Sequence, residues 1–276
     1  MIDSMDHAEA WSAVADAWDA GADAVEGPTS DATARLTERV AVQPGDRVLE
    51  LAAGPGSLGA QWSCLVGSGG AVVLSDIAPG MVEHARRRNE GLDNVETAVL
   101  DASAIDVPDA SFDVVVCRMG LMFTPDPGDA LREIRRVLRP GGRFGVLTWG
   151  GLEHNPWMTC VGMAAMANGL VAGGPPTGPG GIFSLADPDV LARLATAAGF
   201  DGVAVTEEGV TFTADSIEEH LARVTSLAGP LAVALQAASP EQHAAFHRTA
   251  TDLATLYLTA SGFEIPGLAL LTTGRR

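Results

Sequence analysis

The chain has 276 residues, a hydrophobic fraction of 47% and a formal net charge of -18, which is enough for one core with an appended cap or for two small domains. So acidic a balance argues against a nucleic-acid partner, whose affinity would rest on clustered Lys and Arg. All 17 basic residues are arginine, which removes chemistry that needs a Schiff-base lysine, a Walker-type phosphate lysine or a Tyr-Lys reductase pair.

In chain order, Trp11, Ala15 and Trp18 fall at helical spacing over 6–20, and a second helix is expected over 29–42. The pattern then alternates: strand 47–51, helix 57–66, strand 71–76, helix 79–90, strand 95–100, strand 112–117, helix 127–138 and strand 143–149. Short apolar strands separated by helices predict an α/β fold, a Rossmann-like, doubly wound, mostly parallel sheet covered on both faces. Asp126-Pro127 reads as an N-cap with proline at the first helical position, and Pro140-Gly141-Gly142 as the stop of the same helix. Asp187-Pro188 and Gly199 bracket another helix. A strand near 201–213, helices across 216–260 and a strand near 263–273 follow.

From His154 to Ala186 there is no charged residue of the Asp, Glu, Lys or Arg type. Pro156, Asn168 and the run GGPPTGPGG cut its apolar part below the roughly 20 residues of a membrane span, so the segment reads as a cap over an apolar pocket. The expected division is an N-terminal helical cover (1–45), a cofactor-binding core (46–150), the apolar cap (151–186) and a C-terminal part (187–276) that completes the sheet with inserted helices. Cys64, Cys117 and Cys160 are far apart and form no C-x-x-C pair, which points to a reduced, cytoplasmic setting without structural zinc. The acidic, polar N-terminus lacks signal-peptide character.

After the strand RVLEL comes Gly54-Pro55-Gly56-Ser57-Leu58-Gly59, a literal G-x-G-x-x-G. Such a turn lets the backbone approach a ligand and offers helix N–H groups to an anion. A pyrophosphate and a carboxylate fit that turn equally well. Asp76, at the end of the strand AVVLSD, stands where an acid grips ribose hydroxyls in either case. Glu50 separates the readings, since an acid beside the loop repels a pyrophosphate and suits a cation.

The run Glu50-x-Ala52-x-Gly54-x-Gly56 resembles the first motif of the class I S-adenosylmethionine-dependent methyltransferases, with Ala52 in place of the first glycine. VLDASAIDVPDASFDVVVCRMGLMF (99–123) looks like the family's third and fourth strands, and ALREIRRVLRPGGRFGVL (130–147) like its signature helix, turn and fifth strand. The resemblance is close over 7–150 and architectural beyond, and implies a seven-stranded sheet with S-adenosyl-L-methionine as cofactor. It implies that Glu50 lies near the methionine end, that Asp76 with neighbouring Ile77 binds the ribose diol, and that Asp101-Ala102 reads the adenine amino group. Met81 packs on adenine or belongs to the plain core. Arg118, Met119 and Gly120 line the methionine moiety or simply pack. Trp18 covers the cofactor, as the paired aromatic residues of ubiquinone-type methyltransferases do, or anchors its helix.

The place after the fourth strand lacks the Asn/Asp-Pro-Pro-aromatic motif of amino-group methyltransferases, and Cys117 lacks the Pro-Cys pair of pyrimidine methyltransferases. The uncharged cap, with Met158, Met163 and Met166, favours a small apolar or aromatic acceptor methylated on oxygen or carbon. His154 is the best-placed base and Glu153 the second, unless His154 is a plain loop residue. His243 and His247 share a helix face without a third ligand, so no metal is expected. The remaining expectations are no nucleic acid, no membrane span, and a monomer or homodimer. Two alternatives stay open: an NAD(P)-binding oxidoreductase, and a non-catalytic protein that keeps the fold as a binding or regulatory module.

Overall fold

A central sheet carries the core in the computed structural model, which describes residues 7–227 and 229–276. The strands β1 (Arg47–Leu51), β2 (Ala71–Asp76), β3 (Val95–Val99), β4 (Phe112–Arg118) and β5 (Leu138–Trp149) pair in parallel. Three more, β6 (Asp201–Ala214), β7 (Leu258–Thr259) and β8 (Gly262–Arg275), complete the sheet. The order is β3-β2-β1-β4-β5-β8-β6, with β8 antiparallel to its neighbours. Seven strands thus form the continuous, mostly parallel sheet, and the two-residue β7 pairs with β8 alone.

Apolar runs explain the centre. Val48, Leu49, Val72, Leu74, Val114 and Val116 are fully buried, as expected of parallel strands covered on both faces. The covering helices are α1 (His7–Ser12), α2 (Ala15–Ala20), α3 (Ala22–Val40), α4 (Gly59–Val66), α5 (Pro79–Arg88), α6 (Pro127–Val137), α7 (Pro156–Ala167), α8 (Pro188–Ala197), α9 (Ile217–Leu227), α10 (Gly229–Gln236) and α11 (Pro240–Ala254). Asp126 and Asp187 cap α6 and α8 as their sequences predict, each accepting two backbone N–H bonds.

The differences from the sequence reading are local. The single helix expected over 6–20 is two short ones, α1 and α2; residue 6 and the rest of the cover's first six residues lie outside the described residues. Helix α3 starts at Ala22 instead of 29 and carries Pro28 inside it. Around that proline, hydroxyls bond helix carbonyls, Thr29 Oγ1 to Val25 O at 2.9 Å and Ser30 Oγ to Gly27 O at 2.8 Å. Helix α4 begins two residues late, because a turn holds Gly54 to Leu58. The stop of α6 comes at Val137, and β5 starts at Leu138 instead of 143, since Leu138 pairs with Phe112 before a register shift. Residue 228, within the helices expected over 216–260, lies outside the described residues.

The segment 151–186 divides. Helix α7 buries Trp157, Val161, Ala164 and Ala165. The chain then returns to the carboxyl end of the sheet, where Ser184 Oγ donates to Met122 O at 2.7 Å and Thr148 Oγ1 to Leu185 O at 3.4 Å. Among the described residues no helix is long and apolar enough to cross a membrane.

Candidate active site

Strand β1 delivers Glu50 into the interior, 1% exposed. Its Oε2 accepts the indole N–H of Trp62, on α4, at 2.8 Å. Burial pushes the carboxyl up to about 7, against the opposing pull of the Arg118 charge and the Trp62 hydrogen bond. A buried acid so poised ionises fully when a cation arrives beside it.

The loop after β1 uses its small residues in different ways. Ala52, Gly54 and Gly56 all have left-handed backbones, with φ of 51°, 55° and 76°. A Cβ on Gly54 would meet nothing within 4 Å, whereas one on Gly56 would lie 2.8 Å from Ala85 Cβ and Asn89 Nδ2. A Cβ on Gly59 would come within 2.1 Å of Asn89 Oδ1. Asn89, buried at the end of α5, donates to Gly56 O at 3.0 Å and Ala85 O at 2.8 Å. Gly54 therefore faces open space, and the other two let α4 and α5 close on each other.

Asp76, 8% exposed, ends β2 and clasps this loop. Its Oδ2 accepts Gly54 N–H and its Oδ1 accepts Ala78 N–H, both at 3.0 Å. Burial raises its carboxyl, and the backbone donors at Ala78, Gly54 and Ile77 oppose that shift. Three backbone donors leave the carboxylate acceptor capacity for a ligand hydroxyl. Both the capping and the binding readings of Asp76 thus fit one geometry.

Above Asp76, Met81 packs with Ala15 and Ala78, and Trp11, Val14 and Trp18 close over them. Trp11 meets Trp18 edge-on at 6.0 Å and Phe123 at 5.0 Å. Polar contacts hold the cover to α5: the two ring nitrogens of His84 lie 2.7 Å from Asp16 and 3.1 Å from Asp19, and Arg88 pairs with Asp19 at 2.5 Å. Trp18 Nε1 is buried without a hydrogen-bond partner among the described residues.

Beyond β3, Leu100 N–H bonds Asp76 O at 3.0 Å, which brings Asp101 and Ala102 to the same edge. Asp101 Oδ1 accepts Ser103 N–H at 2.8 Å. Arg118 ends β4, its side chain 10% exposed, with a fork of bonds to Glu26 on α3 at 2.7 and 2.5 Å. Met119 has a φ of 57°, and a Cβ on Gly120 would lie 2.3 Å from Ala52 Cβ. The ends of β1 and β4 thus meet through strained or side-chain-free residues, a feature of functional sites. Cys117 is buried beneath them and its thiol is pushed up to about 12, chiefly by burial.

His154 and Glu153 lie in a single 3-10 turn after β5, both largely exposed, with His154 Nε2 3.6 Å from Glu153 Oε1. His243 Nε2 lies 2.8 Å from Leu235 O, and the described residues contain no cluster of three His, Cys, Asp or Glu side chains able to hold a metal. Sequence reasoning missed Trp62, Asn89 and Glu26. A buried strand-end acid demands a donor, which signals a partner for Glu50 without identifying it.

The residues at this edge suit a nucleoside with an amino-acid tail. Gly54 leaves open space, Asp76 and Asp101 keep acceptor capacity, and Trp18 Nε1, Ser103 Oγ and Arg118 Nε are buried polar atoms without partners among the described residues. Residues 49–146 match a family model described as a methyltransferase domain.

The chain is 41% identical over 120 residues to the ubiquinone/menaquinone biosynthesis C-methyltransferase UbiE of Shewanella frigidimarina, a match covering 42% of this chain and 48% of that protein. The UbiE of Pectobacterium carotovorum is 43% identical over 109 residues, 38% of this chain and 43% of that protein. The chain therefore spans about half the length of the curated relatives it matches. Among solved structures, the YcgJ protein of Bacillus subtilis superposes with a TM-score of 0.59 at 20% identity, covering 88% of this chain and 97% of that one. The [4+2]-cyclase SpnF superposes at 0.52 with 22% identity, covering 88% and 79%. These likenesses establish the fold, and a fold shared with a cyclase does not by itself specify methyl transfer.

Proposed function

We propose that the protein is an S-adenosylmethionine-dependent methyltransferase that methylates oxygen or carbon of a small apolar or aromatic acceptor. The observation that supports this reading is the convergence of Glu50, the open Gly54 turn and Asp76 at one sheet edge, within the segment that matches a methyltransferase-domain model. Glu50, Arg118 and Met119 border the methionine end; Asp76 and Ile77 hold the ribose; Asp101, Ala102 and Met81 receive adenine; Ala52, Gly54 and Gly56 shape the loop; Trp18 covers it. S-adenosylmethionine supplies a methyl group on a sulfonium centre, open to in-line displacement.

The chain's contribution is alignment and exclusion of water, which carry most of such a transfer. The carboxyl of Glu50 favours a cation through its charge. Where the acceptor arrives protonated, His154 is the proposed base, with Glu153 beside it holding the imidazole charge. The name of the UbiE relatives supports carbon as one target, and there no base need act on a hydroxyl. The proposal also takes 1–45 as the cover, 46–150 as the cofactor core, 151–186 as the cap and 187–276 as the completion of the sheet.

A cytoplasmic setting is part of this reading, supported by three free cysteines. So are a monomeric or homodimeric state and the lack of a nucleic-acid partner, the latter supported by the net charge of -18. Incubation with methyl-labelled cofactor and pooled phenols, quinones, sterols and polyketides tests the proposal. Label should move to an organic-extractable product in one pool and in none without protein. Cofactor binding with no transfer to any pool would favour the non-catalytic alternative.

A further inference from the structure

The helices inserted between β6 and β8 enclose a cavity of about 520 Å³ between α9, α10 and α11, a size within the range of small-molecule sites. Its walls are apolar, from Leu221 and Ala222 of α9, Leu235 of α10 and Phe246 of α11. None of its lining residues belongs to the glycine loop or to the strand ends that build the candidate active site.

The polar groups of this lining are mostly acceptors. Glu218 brings a carboxylate, which accepts only when ionised. Thr225 gives its hydroxyl hydrogen to Leu221 O at 2.7 Å, which leaves the oxygen lone pairs. His243 Nε2 lies 2.8 Å from Leu235 O; a carbonyl only accepts, so Nε2 carries the hydrogen and Nδ1 of the neutral ring is an acceptor. Gln236 and His247 also line the cavity and serve either way. No arginine joins them among the described residues. The arginine of α9, Arg223, bonds Glu219 at 3.0 Å and Thr213 O at 2.9 Å.

An apolar cavity rimmed by acceptors and a carboxylate suits a ligand that brings donors and positive charge. An organic anion would set its charge against Glu218, and a hydrocarbon would fill the walls while leaving the acceptors to water. We propose that the cavity between α9, α10 and α11 is a second ligand site and that it takes an organic amine. The protonated amino group meets Glu218, Thr225 and His243, and an apolar or aromatic body lies on Leu221, Leu235 and Phe246. The net charge of -18 draws such a cation to the protein. This site is independent of the methyl donor and of the acceptor proposed above.

Three indoles of similar size test this in calorimetric titrations of the full chain: tryptamine, a cation at neutral pH, tryptophol, its neutral alcohol, and indole-3-acetate, an anion. Tryptamine should bind tightest, about 3- to 10-fold better than tryptophol, between the worth of an exposed ion pair and that of a charged hydrogen bond. Indole-3-acetate should bind weakest. Glu218→Gln should lower the tryptamine affinity by about 2- to 5-fold and leave that of tryptophol unchanged. Ala222→Trp, at an exposed helix position, should fill the cavity and abolish binding of both; the smaller Ala222→Leu should weaken it and serves if the tryptophan variant does not fold. Equal binding of tryptamine and indole-3-acetate would overturn the choice of an amine. Tryptamine binding untouched by the cavity-filling variants, or no heat from any of the three indoles, would overturn the site itself. Displacement of tryptamine by S-adenosylhomocysteine would move the amine to the candidate active site and end the claim of a second one.

Discussion

Gly54 donates its backbone N–H to Asp76 Oδ2 at 3.0 Å across 22 residues of chain, so the glycine loop and the acid at the end of β2 are one assembly. Replacing the acid therefore touches the loop as well as any ligand. Asp76→Asn keeps the shape and one acceptor oxygen, and should weaken cofactor binding by about 1.5 to 3 kcal/mol. Calorimetry with S-adenosylhomocysteine reads this directly. Unchanged affinity in a folded variant would leave Asp76 as a structural clasp only.

Glu50 gives a pH dependence with a definite sign. Its carboxyl is held near 7 in the fold against an ordinary value of 4.5. Between these values the folded protein keeps a proton that the unfolded chain has released, so stability falls as pH rises through that window and levels off above it. The shift corresponds to ~3 kcal/mol. In Glu50→Gln this component should vanish, so that denaturation midpoints at pH 5 and pH 8 lie closer together than in the wild type. Equal pH profiles for the two proteins would mean that Glu50 is ionised throughout.

The two glycines of the turn should fail differently. Gly56→Ala forces a left-handed alanine against Ala85 and Asn89 and should cost about 2 to 4 kcal/mol of stability. Gly54→Ala has the same backbone strain but open space around it, so it should cost only about 1 to 2 kcal/mol. Its main effect should be a cofactor affinity at least about tenfold lower. Thermal unfolding and calorimetry on both variants check this, and equal losses of stability would remove the distinction.

Much of this arrangement was legible in the sequence, because its signals are local. The apolar runs of β1, β2 and β4 and the Asp-Pro caps of α6 and α8 depend on neighbours within a few residues. The loop glycines and Asp76 were picked out by motif spacing, and Met81 by the family resemblance alone. Contacts between distant segments were not legible: Trp62 as donor to Glu50, Asn89 between Gly56 and Ala85, and Glu26 on Arg118 each depend on how helices dock on the sheet. The start of α3 was missed because Pro28 disfavours a helix interior, a cost the tertiary setting of α3 outweighs. The early start of β5 was missed because Pro140-Gly141-Gly142 reads as a turn, whereas Gly141 donates to Arg276 O at 2.8 Å beside β8.

His154 carries the boldest assignment, since its ring is 60% exposed and meets only Glu153 among the ion pairs of the described residues. With an oxygen acceptor in hand, His154→Ala should lower turnover by roughly 10²- to 10⁴-fold at neutral pH. Cofactor affinity should hardly move. With a phenolic acceptor the loss should shrink at higher pH, because a phenolate needs no base. Wild-type turnover with an unchanged pH profile would remove His154 from the mechanism and favour transfer to carbon driven by alignment alone.

The most direct measurement is a pair of calorimetric titrations of the wild-type protein, one with S-adenosylhomocysteine and one with NAD or NADP. The acidic Glu50 beside the Gly54 loop predicts micromolar binding of the first, roughly -8 kcal/mol, and no heat from the second. Micromolar binding of a dinucleotide with none of S-adenosylhomocysteine would contradict the methyltransferase assignment at its root.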